Sequence, residues 1–491
     1  MTREIASYAP RTASGTPPVL TVTLAVFSAF FVWILALGQP TFPLDDAYIT
    51  LSNARDLLEG HHGRFGVSPL VGATSMVHLA LVATLASVVP LTWAGAIAAW
   101  IAIAAYALGL VRLAQRCDLT TAETLLLVGI GLLAGFTLLH VLNGLETGLA
   151  MAFVVWALVL AMGPPTMLLP VLLGLMPFVR PELAILAAIL FIDQARRRWS
   201  DRAWGAVAAD IAILAACAAP WLLWMWTETG GLMPQTVAAK RAFFAQERWP
   251  WYRKLWVVAY ALGQFFLQVG PLAIAIVGLR SRREGRLALM FALIMLALFA
   301  QQFPAGLNHN AQRYLCIFVP LLLAGLAFAM QAAKRAERRW LRWLAAASAA
   351  YALACAPGSV RLYATCIEFV RGELNDVAQW ANANLPADAR VAVHDAGYAA
   401  FAIDRALVDV VGLKTPRSRE IHERITAPSA GRARGEALAQ ILAESEADYL
   451  IVWIGWDHDF ALIAGLRAAG VVLEPVRAEG AYRIYRIVVP G

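Results

Sequence analysis

The sequence predicts a polytopic α-helical membrane protein, with about 11 transmembrane helices and a C-terminal extracytoplasmic α/β domain. Three observations predict the membrane class. The 491 residues are 60% hydrophobic and 15% charged, whereas soluble globular domains run at about 45–50% and about 25%. Apolar runs of membrane length recur from residue 18 to residue 357. The basic excess, 40 Lys+Arg against 33 Asp+Glu, is concentrated in short gaps between those runs, as the positive-inside rule requires. These features exclude a soluble enzyme, a disordered chain and a nucleic-acid-binding domain. The five cysteines (Cys117, Cys217, Cys316, Cys355, Cys366) show no metal-ligand spacing and read as packing residues.

The first apolar run, Pro18–Gly38, is long enough to cross a hydrocarbon core of about 30 Å and lacks a small-residue cleavage site, so it reads as an anchor. Later runs are Trp93–Val111, Ala122–Leu142, Leu145–Met162, Met167–Asp193, Trp204–Trp226, Trp256–Leu279, Leu287–Phe303, Arg313–Gln331 and Trp340–Pro357. Two segments are decided together. Val71–Leu91 is interrupted by Thr74, Ser75, His78, Thr84 and Ser87, and Met167–Asp193 holds Arg180, Pro181 and Glu182 near its middle. A single span would bury that ion pair at mid-membrane, which is costly. If Val71–Leu91 lies along the outer face and Met167–Asp193 is two short helices broken at Arg180-Pro181, all four basic clusters face the cytoplasm. They are Arg112/Arg116, Arg196–Arg202, Arg280–Arg286 and Lys334–Arg342. The N-terminus is then cytoplasmic and the C-terminus extracytoplasmic, as in a multi-pass protein of a bacterial inner membrane. The membrane module is expected over residues 1–357, with a first outer loop at 39–92, and the tail domain over 358–491.

The tail reads as a small α/β domain. Asn375–Asn384 is a helix stopped before Pro386, Arg390–His394 a strand, and Gly435–Glu446 a helix. Asp448–Trp453 is a buried strand, Phe460–Ala469 a helix, and Tyr482–Val489 an alternating terminal strand.

The most informative local feature is Pro43-Leu-Asp-Asp-Ala-Tyr-Ile-Thr50. Adjacent carboxylates at a membrane boundary cost energy unless they are used. One can serve as a general base, since a neighbouring carboxylate raises the other's pKa. With Glu146, Asp45 and Asp46 would also make an oxygen-rich set suited to Mg, Mn or Ca. The plainer alternative makes Asp45 the N-cap of a helix Asp46–Leu58. No G-x-G-x-x-G or P-loop occurs, which disfavours a nucleotide-sugar donor.

The run from Asp45 through Tyr48, Ala54-Arg55, Gly60-His61, Gly63, Gly72 and Thr74-Ser75 resembles the first outer loop of GT-C glycosyltransferases. It is most similar to the mycobacterial-type arabinofuranosyltransferase branch. His62 is an extra residue in the Gly-His-Gly turn, and Ser75-Met-Val-His78 replaces the usual Ser-Pro-Leu-Trp. Further motifs follow in order: Asn143-Gly-Leu-Glu-Thr147, Arg180-Pro-Glu182, Leu232-Met-Pro-Gln-Thr236 with Lys240, and Asn308-His309 with Arg313-Tyr314. In the tail come Asp395-Ala-Gly397, Asp404-Arg405 and Val408-Asp409 with Gly412-Leu413.

The resemblance implies transfer of a sugar, arabinofuranose in the closest branch, from a polyprenyl-phosphate donor to a glycan or lipid-linked acceptor in cell-envelope biogenesis. Asp45 is expected as the base, with Asp46 as the alternative, and Glu146 as a residue that positions the sugar or helps hold a metal. Lys240 and Arg313, assisted by Arg241, are the expected phosphate ligands. Tyr48, Arg55, His61, Gln235, His309 and Tyr314 complete the expected substrate contacts. His394 and Asp395 either touch acceptor or cap a turn. Two rival classes make other demands. A flippase of lipid-linked sugars predicts inverted repeats and mid-membrane charges, and no repeat is legible. A non-catalytic glycan-binding scaffold gives no reason for Asp45, Glu146, Lys240 and Arg313 to meet.

Overall fold

The protein is described here by a computed structural model covering residues 39–335 and 340–488. The expected first span, Pro18–Gly38, lies outside the described residues. Among the described residues, six helices are long and apolar enough to cross a membrane: Leu91–Arg116, Trp204–Thr229, Trp251–Ser281, Arg283–Gln302, Cys316–Lys334 and Trp343–Asn384. Four shorter apolar helices, Met76–Ala86, Thr121–Leu133, Thr147–Ala161 and Leu168–Val179, pack among them.

Burial separates the inside of the bundle from its rim. The Cys316–Lys334 window is 94% buried, whereas that of Trp204–Thr229 is only 6% buried, so the first is the central helix and the second presents its apolar side chains to lipid. The central helix meets the tight helical segment Gly270–Ser281 through glycines. A Cβ on Gly278 would overlap the Gly325 carbonyl, and one on Gly325 would overlap that of Ala275. Small residues permit this approach where no water drives helices together.

The two ambiguous segments resolve by length and by proline. Met76–Ala86 has 11 residues and reaches about 16 Å, too short for a core of about 30 Å. Ser75 caps it, accepting from the His78 N–H at 3.2 Å. Met167–Asp193 is two helices, Leu168–Val179 and Leu183–Ser200, because Pro181 forces Arg180 into extended backbone (φ −153, ψ 134). The last helix differs from expectation. It continues through Pro357 to Phe369, then through a π-helical turn at Val370–Leu374 into Asn375–Asn384. One helical rod therefore joins the bundle to the tail where the sequence suggested a boundary at 357/358.

The tail contains a five-stranded mixed sheet with β1 (Arg390–Val393), β2 (Ala406–Asp409), β3 (Tyr449–Trp453), β4 (Val472–Arg477) and β5 (Tyr482–Val488). Its order is β2-β1-β3-β5-β4. β1 pairs parallel with β2 and β3, and β5 pairs antiparallel with β3 and β4. β2 and β4 are not legible in the sequence. β2 has four residues, and β4 is an edge strand carrying Pro475 beside a bulge.

Both faces of the tail are covered by the membrane module. On one side Val393, Ala400, Ile403 and Ile484 share a core with Tyr48, Leu51 and Ala54 of the first-loop helix Asp45–Glu59. On the other, Val408, Leu438 and Leu450 pack with Ala239 and Phe243 of the helix Gln235–Phe244. The carboxyl ends of β1 and β3 point at the junction, the usual ligand-bearing edge of parallel strands.

Candidate active site

The site is assembled where the first-loop helix begins. Asp45 and Asp46 occupy its first turn, and its N-cap is Leu44, which makes no side-chain cap. The N-cap alternative for Asp45 is thereby corrected: the helix starts one residue earlier and the Asp45 carboxylate turns outward to the tail. Asp45 Oδ2 accepts from the Gly397 N–H at 2.9 Å and Oδ1 from the Tyr398 N–H at 2.6 Å. Asp46 turns instead to cations. Its Oδ2 lies 3.2 Å from Arg313 Nη2 and 4.0 Å from Lys240 Nζ, and Asn310 Nδ2 donates to it at 3.4 Å.

The two carboxyls titrate in opposite directions. Burial raises Asp45 well above the ordinary range, the neighbouring Asp395 raises it further, and the two N–H donors only partly offset this. Burial also acts on Asp46, but Lys240, then Arg313 and His309, outweigh it and hold Asp46 below the carboxylate range. His309 is pushed down to about 3, by burial first and then by the Lys240 charge, so its ring is neutral.

Beneath this pair lies a second ionic layer. Arg180 Nη2 pairs with Glu182 at 2.6 Å, and its Nε lies 3.7 Å from Glu146. Its guanidinium stands 4.9 Å over the Tyr314 ring, with that of Arg313 at 5.4 Å. Nε and Nη1 of both arginines are buried without hydrogen-bond partners. Orphaned guanidinium donors are costly, and an anion's oxygens would satisfy them.

Three cavities meet at Lys240. An apolar groove of about 250 Å³ is lined by Ile185, Met295, Leu298, Phe299 and Tyr314, with Lys240 and Arg241 at its polar side. A small pocket holds Asp46, Thr50, Ser75, Glu146 and Arg313, again with Lys240. A cleft of about 250 Å³ between the module and the tail is lined by Asp45, Lys240, His309, His394, Asp395 and Trp456.

Of the residues singled out in the sequence, Asp45, Asp46, Glu146, Lys240, Arg241, His309, Arg313 and Tyr314 therefore line one or more of these three cavities. Four stand apart from these three cavities. The Tyr48 hydroxyl accepts from the Phe42 N–H, and its ring packs on Tyr398 and Phe401. Arg55 donates to the carbonyls of Ala400 and Phe401. Gln235 donates to Thr229, and His61 is half exposed beside Glu59. Tyr48 and Arg55 clamp the tail helix Ala396–Ala402. The sequence did not single out Trp453, Trp456 or Tyr482, which also line the cleft. Their positions at the end of β3 and the start of β5 are the only signal, and it requires knowing the strand order.

The metal set Asp45, Asp46 and Glu146 does not converge. Asp45 is held by backbone N–H groups, Asp46 by cations and Glu146 by Arg180. Among the described residues no three His, Cys, Asp or Glu side chains form a ligand cluster, so this donor set does not fit a divalent cation.

Comparison with known proteins bears on the fold. A family model described as a domain of unknown function (DUF8728) matches residues 365–485, the end of the long rod and the tail. No curated protein sequence matches significantly. ArnT from Cupriavidus metallidurans bound to undecaprenyl phosphate superposes with a TM-score of 0.53 at 13% identity, over 95% of this chain and 98% of its own. The arabinofuranosyltransferase AftD from Mycobacteria gives 0.51 at 18% identity, over 96% of this chain and 40% of its own. The Archaeoglobus fulgidus oligosaccharyltransferase gives 0.52 at 12% identity, over 91% and 70%. Superposition on all three over more than nine-tenths of its length shows that the membrane bundle and tail of this chain share the overall fold of these proteins.

Proposed function

We propose that this chain is an integral-membrane glycosyltransferase that transfers a sugar from a polyprenyl-phosphate donor to an acceptor hydroxyl on the extracytoplasmic side of a bacterial inner membrane. The observation that carries this reading is the position of Lys240, at the meeting point of an apolar groove, a pocket with Asp46 and Arg313, and a cleft with Asp45. An apolar chain with an anionic head and a polar group fits those three spaces in that order. The undecaprenyl phosphate bound in the related ArnT structure supports the donor class, and the likeness to AftD favours arabinofuranose as the sugar.

In this mechanism Lys240 and Arg313 hold the phosphate, and Asp46 aligns the two cations. Asp45 is the base. A carboxylate raised by burial takes a proton more readily than one lowered by two cations, and its two N–H contacts leave lone pairs free. Asp45 removes the acceptor hydroxyl proton as that oxygen bonds to the anomeric carbon. The anomeric carbon–phosphate oxygen bond breaks, the electron pair leaves with polyprenyl phosphate, and Asp45 returns its proton to solvent. Glu146 and Tyr314 border the donor side.

The test uses the full chain in lipid nanodiscs with radiolabelled polyprenyl-phosphate arabinofuranose and other polyprenyl-phosphate sugars. Transfer should occur with one donor and vanish in the Asp45→Asn/Asp46→Asn double variant. Wild-type turnover in that variant would overturn the reading.

A further inference from the structure

The cleft has a tail-side wall that the donor chemistry does not use. His394 is almost fully buried (side chain 1% exposed) at the end of β1. Its Nε2 faces the Asp395 carboxylate. That nitrogen has no hydrogen-bond partner, yet it lies 3.3 Å from Asp395 Oδ2. Asp395 Oδ2 accepts from the Tyr482 hydroxyl at 2.6 Å, which fixes the carboxylate. The Asp395 side chain, 20% exposed, keeps lone pairs free for hydroxyl donors. Trp453 and Trp456 provide apolar walls in the same cleft, the combination of aromatic surface and few fixed polar groups that suits a sugar ring. Charge narrows the class. Asp45, Asp46 and Asp395 line the cleft, and the only Lys or Arg among its described lining residues is Lys240, already paired with Asp46.

We propose that His394, Asp395 and Tyr482, with Trp453 and Trp456, form the acceptor subsite, and that it takes an uncharged glycan through its hydroxyl hydrogens in preference to a uronic-acid or phosphorylated one. This rests on the glycosyltransferase reading, because it names the acceptor class of that same site.

The experiment titrates the full chain in nanodiscs, separately, with neutral pentose and hexose tetrasaccharides, with tetragalacturonate, and with undecaprenyl phosphate. A neutral tetrasaccharide should bind saturably, and tetragalacturonate at least tenfold more weakly. Asp395→Asn should weaken the neutral ligand at least tenfold while leaving undecaprenyl phosphate binding unchanged, which also reports that the variant is folded. Tyr482→Phe, which removes only the hydroxyl that fixes Asp395, should weaken it in the same direction. Binding of tetragalacturonate as tight as that of the neutral glycan, no neutral binding, or neutral binding unaffected by both variants would overturn the subsite. Failure of the parent reading looks different: the wild-type chain would not bind undecaprenyl phosphate, or Lys240→Met would bind it equally well.

Discussion

Asp45 and Asp46 are adjacent in the chain, yet their carboxylates are held by opposite means. Asp45 is fixed by the N–H groups of Gly397 and Tyr398 in the tail, and Asp46 by Arg313 and Lys240 in the membrane module. Consecutive helical residues point about 100° apart, so one helix start serves two partners. In the proposed function the pair divides labour: one carboxyl is the base beside the acceptor cleft, the other an organiser of cations.

The first prediction separates the two. Asp45→Asn keeps a carbonyl oxygen for the tail contact and should lower turnover by about 10²–10⁴-fold, with undecaprenyl phosphate binding unchanged. Asp46→Asn leaves the buried Arg313 guanidinium without its carboxylate, a loss of about 3–5 kcal/mol for a buried pair. It should lower the thermal midpoint and disturb donor binding. Turnover and thermal melts of the two single variants in nanodiscs distinguish these outcomes.

A second prediction concerns pH. The base must be ionised, so transfer falls as pH drops through its pKa. With Asp45 raised by burial and by Asp395, the acidic limb of the rate profile should lie above the ordinary carboxylate value of about 3.9. Asp395→Asn removes a like charge and should move that limb to lower pH. If Asp46 were the base, the limb would lie below the ordinary value, because Lys240 and Arg313 hold it down.

Lys240 carries the third prediction. Lys240→Met should raise the KM for the lipid donor by the value of a charged hydrogen bond, about 1.5–3 kcal/mol, or roughly ten- to a hundredfold. Lys240→Arg should recover part of it. Steady-state kinetics with varied donor provide the readout, and an unchanged KM would remove Lys240 from the phosphate site.

Gly397 provides a structural test. A Cβ there would overlap the backbone carbonyl of Asp45, which cannot move without shifting the first-loop helix. Gly397→Ala should cost about 1–3 kcal/mol, as overpacking does, and loosen the tail. Limited proteolysis should then cut the tail faster, and transfer should fall with it. Wild-type protease resistance would show that the contact is not tight.

A related contact supports the same docking. Lys414, buried in the tail, donates to Asn53 Oδ1 at 2.6 Å and to the Val71 carbonyl at 2.7 Å in the first loop. Burial pushes its pKa down to about 8, and Gly72 leaves space for its side chain. The tail and the first loop thus form one packed body around the cleft.

Much of this is legible in the sequence. Sixty per cent apolar residues and clustered arginines dictate a helical bundle, because lipid tolerates only self-satisfied backbone. Pro181 dictates the break beside Arg180. The order of acidic and basic motifs pointed to one shared site, and Asp46, Lys240 and Arg313 do meet. Tyr48 and Arg55 read as substrate contacts by motif, and in the fold their side chains hold the tail helix. Periodicity gives no means of separating these roles, since both require a polar residue at a loop–helix junction.

The sequence by itself determined the membrane class, the helical breaks and the inventory of charged groups, because these follow from local hydropathy and backbone stereochemistry. Tertiary structure alone decided which carboxylate faces cations and which faces the tail, and that the ends of β1, β3 and β5 wall the cleft. Those facts depend on contacts between residues far apart in the chain, such as Asp45 with Gly397, 352 positions on. Local sequence does not encode such a contact. It forms only when the continuous rod Trp343–Asn384 carries the tail back onto the first loop.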